Sequence, residues 1–409
     1  MSGGAILKST LFLKSGLFEV LSMDCLDYNT GSSGGVGHVS ISKHLIGLPR
    51  RASKNLKLTP SRSSLLQAFY RCLLEILIGD ATRPTVLVSY PDILKQARSF
   101  KPDVIYTNFG STGLNALVLK LKRDLRAKLV THFMDDWHRG RNSTGLLSKI
   151  IRMTLDKQTN MLLESSDLRL VISEGMRAAY LERFGFNFHV VHNSVEQAML
   201  LGNEDKDVEY NGALESAYKI RYVGTVLPDV QLEGLLLLAK RLCAINRSGI
   251  LQKNVNLEVY FSREIQNMSS LFEDCRDCVS FIPAPESDRD FLHILKTAAA
   301  IFLPMPLDEE KAKYIRYSLS AKLPAYLGSG APILYCGSRS IYQFQLLRAL
   351  GGCYPILDSD TDAGDNIYII KAIKADRSSF ERVRTDFVSQ YFSHPIIEKD
   401  FRNRLLGIL

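Results

Sequence analysis

The order of apolar and polar runs predicts an α/β protein built as two doubly wound halves, and three observations carry that prediction. Short β-branched or apolar runs alternate with longer amphipathic stretches. The alternation restarts after an acidic, irregular stretch at 202–207, and 409 residues exceed what one ordinary core accommodates. Such alternation implies parallel sheets covered on both faces, with ligands at the carboxyl ends of the strands. The expected organisation is a first domain over 1–200, a linker over 201–216, a second domain over 217–379 and a closing helical segment over 380–409.

Taken in order, a strand is expected at 18–23, followed by the Gly/Ser loop 31–37. That loop lacks both the Lys-Ser/Thr ending of a phosphate-binding loop and the G-x-G-x-x-G spacing, so it reads as a mobile loop. Residues 64–79 read as an apolar helix whose Gln67, Arg71 and Glu75 make a polar stripe, preceded by Arg50, Arg51, Lys54, Lys57 and Arg62. This stretch reads equally as a support on an anionic leaflet or as a packing helix beside a solvated basic loop. Strands are expected at 85–89, 104–107, 128–132, 168–172 and 189–192, with helices at 113–126, 145–165 and 174–185. In the second half the strands are expected at 220–224, 257–261, 279–282, 300–303, 333–336 and 354–357. No repeat at a solenoid period interrupts this pattern.

Composition bounds the function. Apolar residues make up 46% and charged residues 23%, as in ordinary globular proteins. Residues 1–200 carry 26 Lys and Arg against 16 Asp and Glu, whereas the remainder carries 25 against 27. A basic first half points to an anionic substrate or a membrane surface. Nucleic acid is disfavoured, because the cations lack interleaved aromatics and no nucleic-acid-binding string is present. No apolar run is long enough to span a bilayer and residues 1–4 have no signal-peptide layout, so the cytosol is the expected compartment. Seven cysteines without framework spacing predict reduced thiols, and the lone C-x-x-C at Cys275 and Cys278 lacks the second ligand pair of a zinc site.

The segment from Ser320 to Ile333, S-A-K-L-P-A-Y-L-G-S-G-A-P-I, carries the most chemistry. Ser320 and Lys322 are expected in the first turn of a helix, where free N–H groups favour an anion such as a diphosphate. Gly330 and Pro332 then end the helix in a sharp turn before a buried strand. The segment resembles the donor-site S-x-K-L-x-E-Y-L helix of GT-B glycosyltransferases of the family-4-like branch. Five further strings stand in that family's order: K-P-D-V-I at 101–105, T-H-F-M-D-D-W at 131–137, V-I-S-E at 171–174, H-N-S-V-E at 192–196 and Y-V-G-T at 222–225.

The resemblance implies two Rossmann-like domains facing a cleft in the GT-B arrangement, with the C-terminal helix crossing back to the first domain. It implies a donor side formed by Gly224, Thr225, Arg316, Ser320, Lys322, Ser173 and Asn193. His132 is expected at a strand's carboxyl end, where a neutral imidazole can donate or accept a hydrogen bond, and Asp135 or Asp136 is expected to bind the acceptor or act as general base. No metal or other cofactor is expected, since GT-B enzymes neutralise the departing diphosphate with helix N-termini and basic side chains; the nucleotide-diphosphate sugar is a co-substrate.

Departures accompany the likeness. Thr225 replaces the family's Arg, the nearby Lys is lost to Val226–Val230, and the E-x7-E positions hold Tyr317 and Ala325. Arg316, Ser320 and Lys322 remain to neutralise a leaving phosphate. Ser2, Gly3 and Gly4 stand where the family has a Gly-rich loop after its first strand, which points either to a truncated gene start or to a true departure. The reading is a cytosolic glycosyltransferase, peripheral on the inner face of the membrane, that moves a sugar to a glycan or lipid-linked acceptor of cell-envelope or exopolysaccharide type. The alternatives are a non-catalytic GT-B subunit and a nucleotide-sugar epimerase.

Overall fold

A computed structural model of the chain describes residues 21–24, 37–40, 82–108, 112–136, 146–195, 215–261, 268–356 and 362–409. The expectations for residues 2–4, for the loop at 31–36, for the stretch 50–79 and for the linker up to 214 lie outside these residues. The chain divides into two compact units, Met1–Val191 with Phe401–Leu409, and His192–Asp400.

In the first unit, β1 (Leu21–Asp24) pairs in parallel with β2 (Gly37–Ser40). Helix α1 (Thr82–Phe100) is followed by β3 (Val104–Asn108), α2 (Thr112–Leu125), β4 (Lys128–Phe133), α3 (Leu146–Ser165), β5 (Leu168–Val171), α4 (Glu174–Phe184) and the short β6 (His189–Val190). The four strands β3 to β6 lie side by side in sequence order, all parallel. Leu129, Val130, Phe133, Leu168, Leu170 and Val171 are buried on this sheet, as expected of strands covered on both faces.

Two expectations change here. Residues 85–89 are helical rather than a strand. The β-branched run is overridden by the next two turns of chain, because Tyr90, Ile93 and Ala97 fall on one helical face and pack against Leu117 and Leu121 of α2. Pro84, in the first turn, is compatible with a helix start. The strand expected at 189–192 keeps only two residues.

The second unit contains one six-stranded parallel sheet. Its strands are β7 (Tyr218–Val223), β8 (Val255–Phe261), β9 (Val279–Pro283), β10 (Ala300–Pro304), β11 (Ile333–Cys336) and β12 (Cys353–Ile356), in the spatial order β9-β8-β7-β10-β11-β12. The order reverses between β7 and β10, which makes the carboxyl ends of those two strands the topological switch point. After β7 a π-helical turn over Pro228–Leu232 leads into α5 (Glu233–Ser248), whose Leu235, Leu238 and Leu242 pack into the core with Leu257, Phe302 and Leu334. Cys243 on α5 meets Cys278, with 2.7 Å between sulfurs, and burial pushes the Cys243 thiol up. These buried thiols are core groups.

Helices α6 (Asp288–Lys296), α7 (Glu309–Ile315), α8 (Leu323–Gly328), α9 (Tyr342–Leu350) and α10 (Asp362–Ile373) complete the layers. The closing segment is two helices, α11 (Ser378–Tyr391) and α12 (His394–Leu406), rather than one. Pro395 lacks an N–H for a continuing helix, and Ser393 at the break bridges to Val195 instead. Arg384 on α11 is fully buried and donates to the carbonyls of Ala331 (2.7 Å) and Gly351 (3.0 Å), so it ties together the chain entering β11 and β12.

Candidate functional site

The expected site residues fall into two groups, one in each unit. In the first unit the β3–β4 register places Asn108 opposite His132 at the carboxyl edge of the sheet. His132 is fully buried, and its Nδ1 lies 2.6 Å from the Tyr106 hydroxyl. Burial pushes the Tyr106 phenol up, so it stays protonated, and the direction of this hydrogen bond follows the imidazole tautomer.

The two carboxylates after β4 differ sharply. Asp135 is partly exposed. Asp136 is fully buried, and Arg183 of α4 grips both its oxygens at 2.9 Å. The Tyr180 hydroxyl donates to the same carboxylate at 3.3 Å. A carboxylate held by a bidentate guanidinium is an anchor between β4 and α4. Ser173 caps α4, its Oγ accepting from the Met176 N–H at 3.0 Å.

The second group gathers at the switch point of the second unit. Gly224 comes directly after β7 with φ +152°, and a Cβ there would lie 1.3 Å from Lys322 Nζ. Only glycine therefore lets the Lys322 ammonium reach the end of β7. The ammonium stands 5.2 Å from the ring centre of Tyr222, and among the described residues no carboxylate pairs with it. Burial pushes this lysine down to about 8. Tyr222 is fixed beneath it by donating to the Thr225 carbonyl at 2.5 Å, and Tyr326 of α8 donates to the Val223 carbonyl at 3.1 Å.

Helix α8 begins at Leu323, later than the sequence suggests. Lys322 is its N-cap, and Ser320 sits in the preceding turn, because Pro324 belongs in a first turn and sets the start. The Ser320 N–H donates to Gln343 Oε1 at 2.7 Å, and the Tyr342 N–H donates to the Arg316 carbonyl at 2.7 Å, so the start of α9 holds the 316–320 segment. Arg316 reaches Glu309 at 3.3 Å. Hydroxyls of Ser338 and Ser340, then Arg316, hold the Glu309 carboxyl below its usual range. Thr225 is exposed, and Asn193 is buried just past the start of this unit. Among the described residues no three His, Cys, Asp or Glu side chains are arranged to hold a metal ion.

Of the residues expected from the sequence, the structure brings Lys322 against Gly224 and sets His132 at a strand's carboxyl edge; the neighbours Tyr106, Asn108, Tyr222, Glu309 and Gln343 were not expected. Tyr106 and Asn108 directly succeed the K-P-D-V-I string, yet only the strand register brings them to His132. Nothing in the local sequence marks Glu309 or Gln343.

Residues 57–198 match the model of Glycosyltransferase Family 4. No curated protein matches the chain. Among solved structures, sucrose-phosphate synthase from Thermosynechococcus elongatus superposes with a TM-score of 0.61 at 12% identity, covering 99% of this chain and 92% of that one. WaaG, a glycosyltransferase involved in lipopolysaccharide biosynthesis, gives 0.59 at 11% identity, covering 97% and 94%. HepE from Anabaena, solved in complex with UDP, gives 0.55 at 11% identity, covering 79% and 82%. At such identities the likeness shows the fold, while the family model speaks for residues 57–198. Residues 57–198 thus resemble Glycosyltransferase Family 4, and the chain as a whole has the two-sheet GT-B fold of these structures.

Proposed function

We propose that this protein transfers a sugar from a nucleotide-diphosphate donor, without a metal ion, to a glycan or lipid-linked acceptor of cell-envelope or exopolysaccharide type. One observation carries the donor reading: the Lys322 ammonium, which has no carboxylate partner among the described residues, lies against Gly224 at the switch point of a doubly wound sheet. An unpaired buried cation is costly, and a diphosphate offset by it would relieve that cost while the charge of the leaving group is neutralised. The Ser320 hydroxyl accepts from the Lys322 backbone N–H at 3.4 Å, at the start of the same helix. The UDP bound by HepE and the lipopolysaccharide role of WaaG, in proteins of the same fold, support a nucleotide sugar and an envelope glycan. In the first unit, His132 and Asp135 are the groups available for proton transfer.

The departures at Thr225, Tyr317 and Ala325 favour a second reading, a non-catalytic GT-B subunit. Calorimetric titration with UDP, GDP and their common sugars tests both. Saturable binding that weakens about tenfold or more in Lys322→Ala is expected for the enzyme. No binding of any nucleotide would sink the donor reading and leave the subunit reading standing.

A further inference from the structure

The carboxyl edge of the first sheet holds a polar group without a part in donor binding or proton transfer. Asn108 ends β3, and its register partner on β4 is His132. Register partners, and residues two apart on one strand, share a sheet face. Tyr106, Asn108 and His132 therefore stand on one face, as the contact between the Tyr106 hydroxyl and His132 Nδ1 requires.

The Asn108 amide is poorly satisfied there. Its Nδ2 has the Met134 sulfur at 3.7 Å, a weak acceptor, and its Oδ1 is buried and receives no hydrogen bond. Exchanging the amide oxygen and nitrogen does not help, because a buried N–H2 would then lack an acceptor. Keeping such a group in the interior is destabilising, so an apolar residue would serve the fold better. A hydroxyl satisfies the amide in either orientation, since it both donates and accepts. The position is the carboxyl end of a parallel sheet, where ligands bind.

We infer that Asn108 is a sugar-binding residue, its amide taking a ring hydroxyl of the carbohydrate handled beside His132. This deepens the proposed glycosyl transfer and rests on it.

The test is saturation-transfer NMR on the full chain with glucose, galactose, mannose and N-acetylglucosamine, each with UDP or GDP present. Wild type is compared with Asn108→Leu, Asn108→Ala and Asn108→Asp, and nucleotide affinity and melting temperature are measured alongside. A signal from at least one sugar is expected in the wild type, falling about fivefold or more in the Leu and Ala variants. Nucleotide affinity should stay within about twofold, and the Leu variant should melt at or above the wild-type temperature. Asn108→Asp keeps an acceptor oxygen and should retain most of the signal. The Ala variant, which adds no bulk, decides the matter if the Leu variant unfolds. A sugar signal that survives both apolar substitutions, or no signal from any of the four sugars in the wild type, overturns the assignment. Failure of the wild type to bind nucleotide is a different result and counts against the glycosyltransferase reading itself.

Discussion

Lys322 is the residue whose chemistry decides most. Burial pushes its ammonium from the ordinary 10.5 down to about 8, and an anion seated against it would favour the charged form again. Nucleotide binding should therefore take up a proton above pH ~8, and affinity should fall as pH rises through that value. Stability moves the opposite way. Between about 8 and 10.5 the unfolded lysine keeps its proton while the folded one has lost it, so the fold gains stability with rising pH across that window. Calorimetry from pH 7 to 9.5, about the range that brackets this lysine, in two buffers of different ionisation enthalpy reads the proton uptake. Lys322→Arg, which stays charged, should flatten the profile near pH ~8. A profile that is flat in the wild type as well would remove Lys322 from the anion site.

At the scale of elements, the pairing between the end of β4 and helix α4 separates two adjacent carboxylates. Asp136→Ala leaves Arg183 and Tyr180 facing an empty place and should cost about 3–5 kcal/mol in urea unfolding. Asp135→Ala should leave the unfolding midpoint near wild type and lower transfer; the reverse pattern would exchange their roles. Strands β4, β5, β10 and β11 were legible in the sequence because a strand covered on both faces is a continuous apolar run, and such runs have few other uses. Helix α1 was misread because a short β-branched run outweighed the apolar spacing from Tyr90 to Ala97. In the candidate site, Lys322 and His132 were visible as residue types within strings. Their surroundings were not. Whether Tyr106 meets His132 depends on strand register, and whether Lys322 reaches Gly224 depends on a positive φ, neither of which a linear spacing encodes.

For the whole molecule, the uneven charge bears on where the protein works. No helix among the described residues is long and apolar enough to cross a membrane, while residues 1–200 carry 26 Lys and Arg against 16 Asp and Glu. If the acceptor is lipid-linked, the chain should co-sediment with vesicles holding about 30% anionic lipid at low salt. Binding should drop roughly tenfold by ~0.3 M salt, as screening shortens the reach of each charge. Indifference to lipid charge would point to a diffusible acceptor. The contact between Gly224 and Lys322 also constrains how this chain can change over generations. A side chain at 224 would push the ammonium off the end of β7, a cheap move for a flexible lysine, so the lasting barrier at 224 is its φ of +152°, which side chains rarely adopt. A lineage could therefore keep the lysine and still lose its seat at the switch point, and the mark of that loss would be a residue other than glycine at 224.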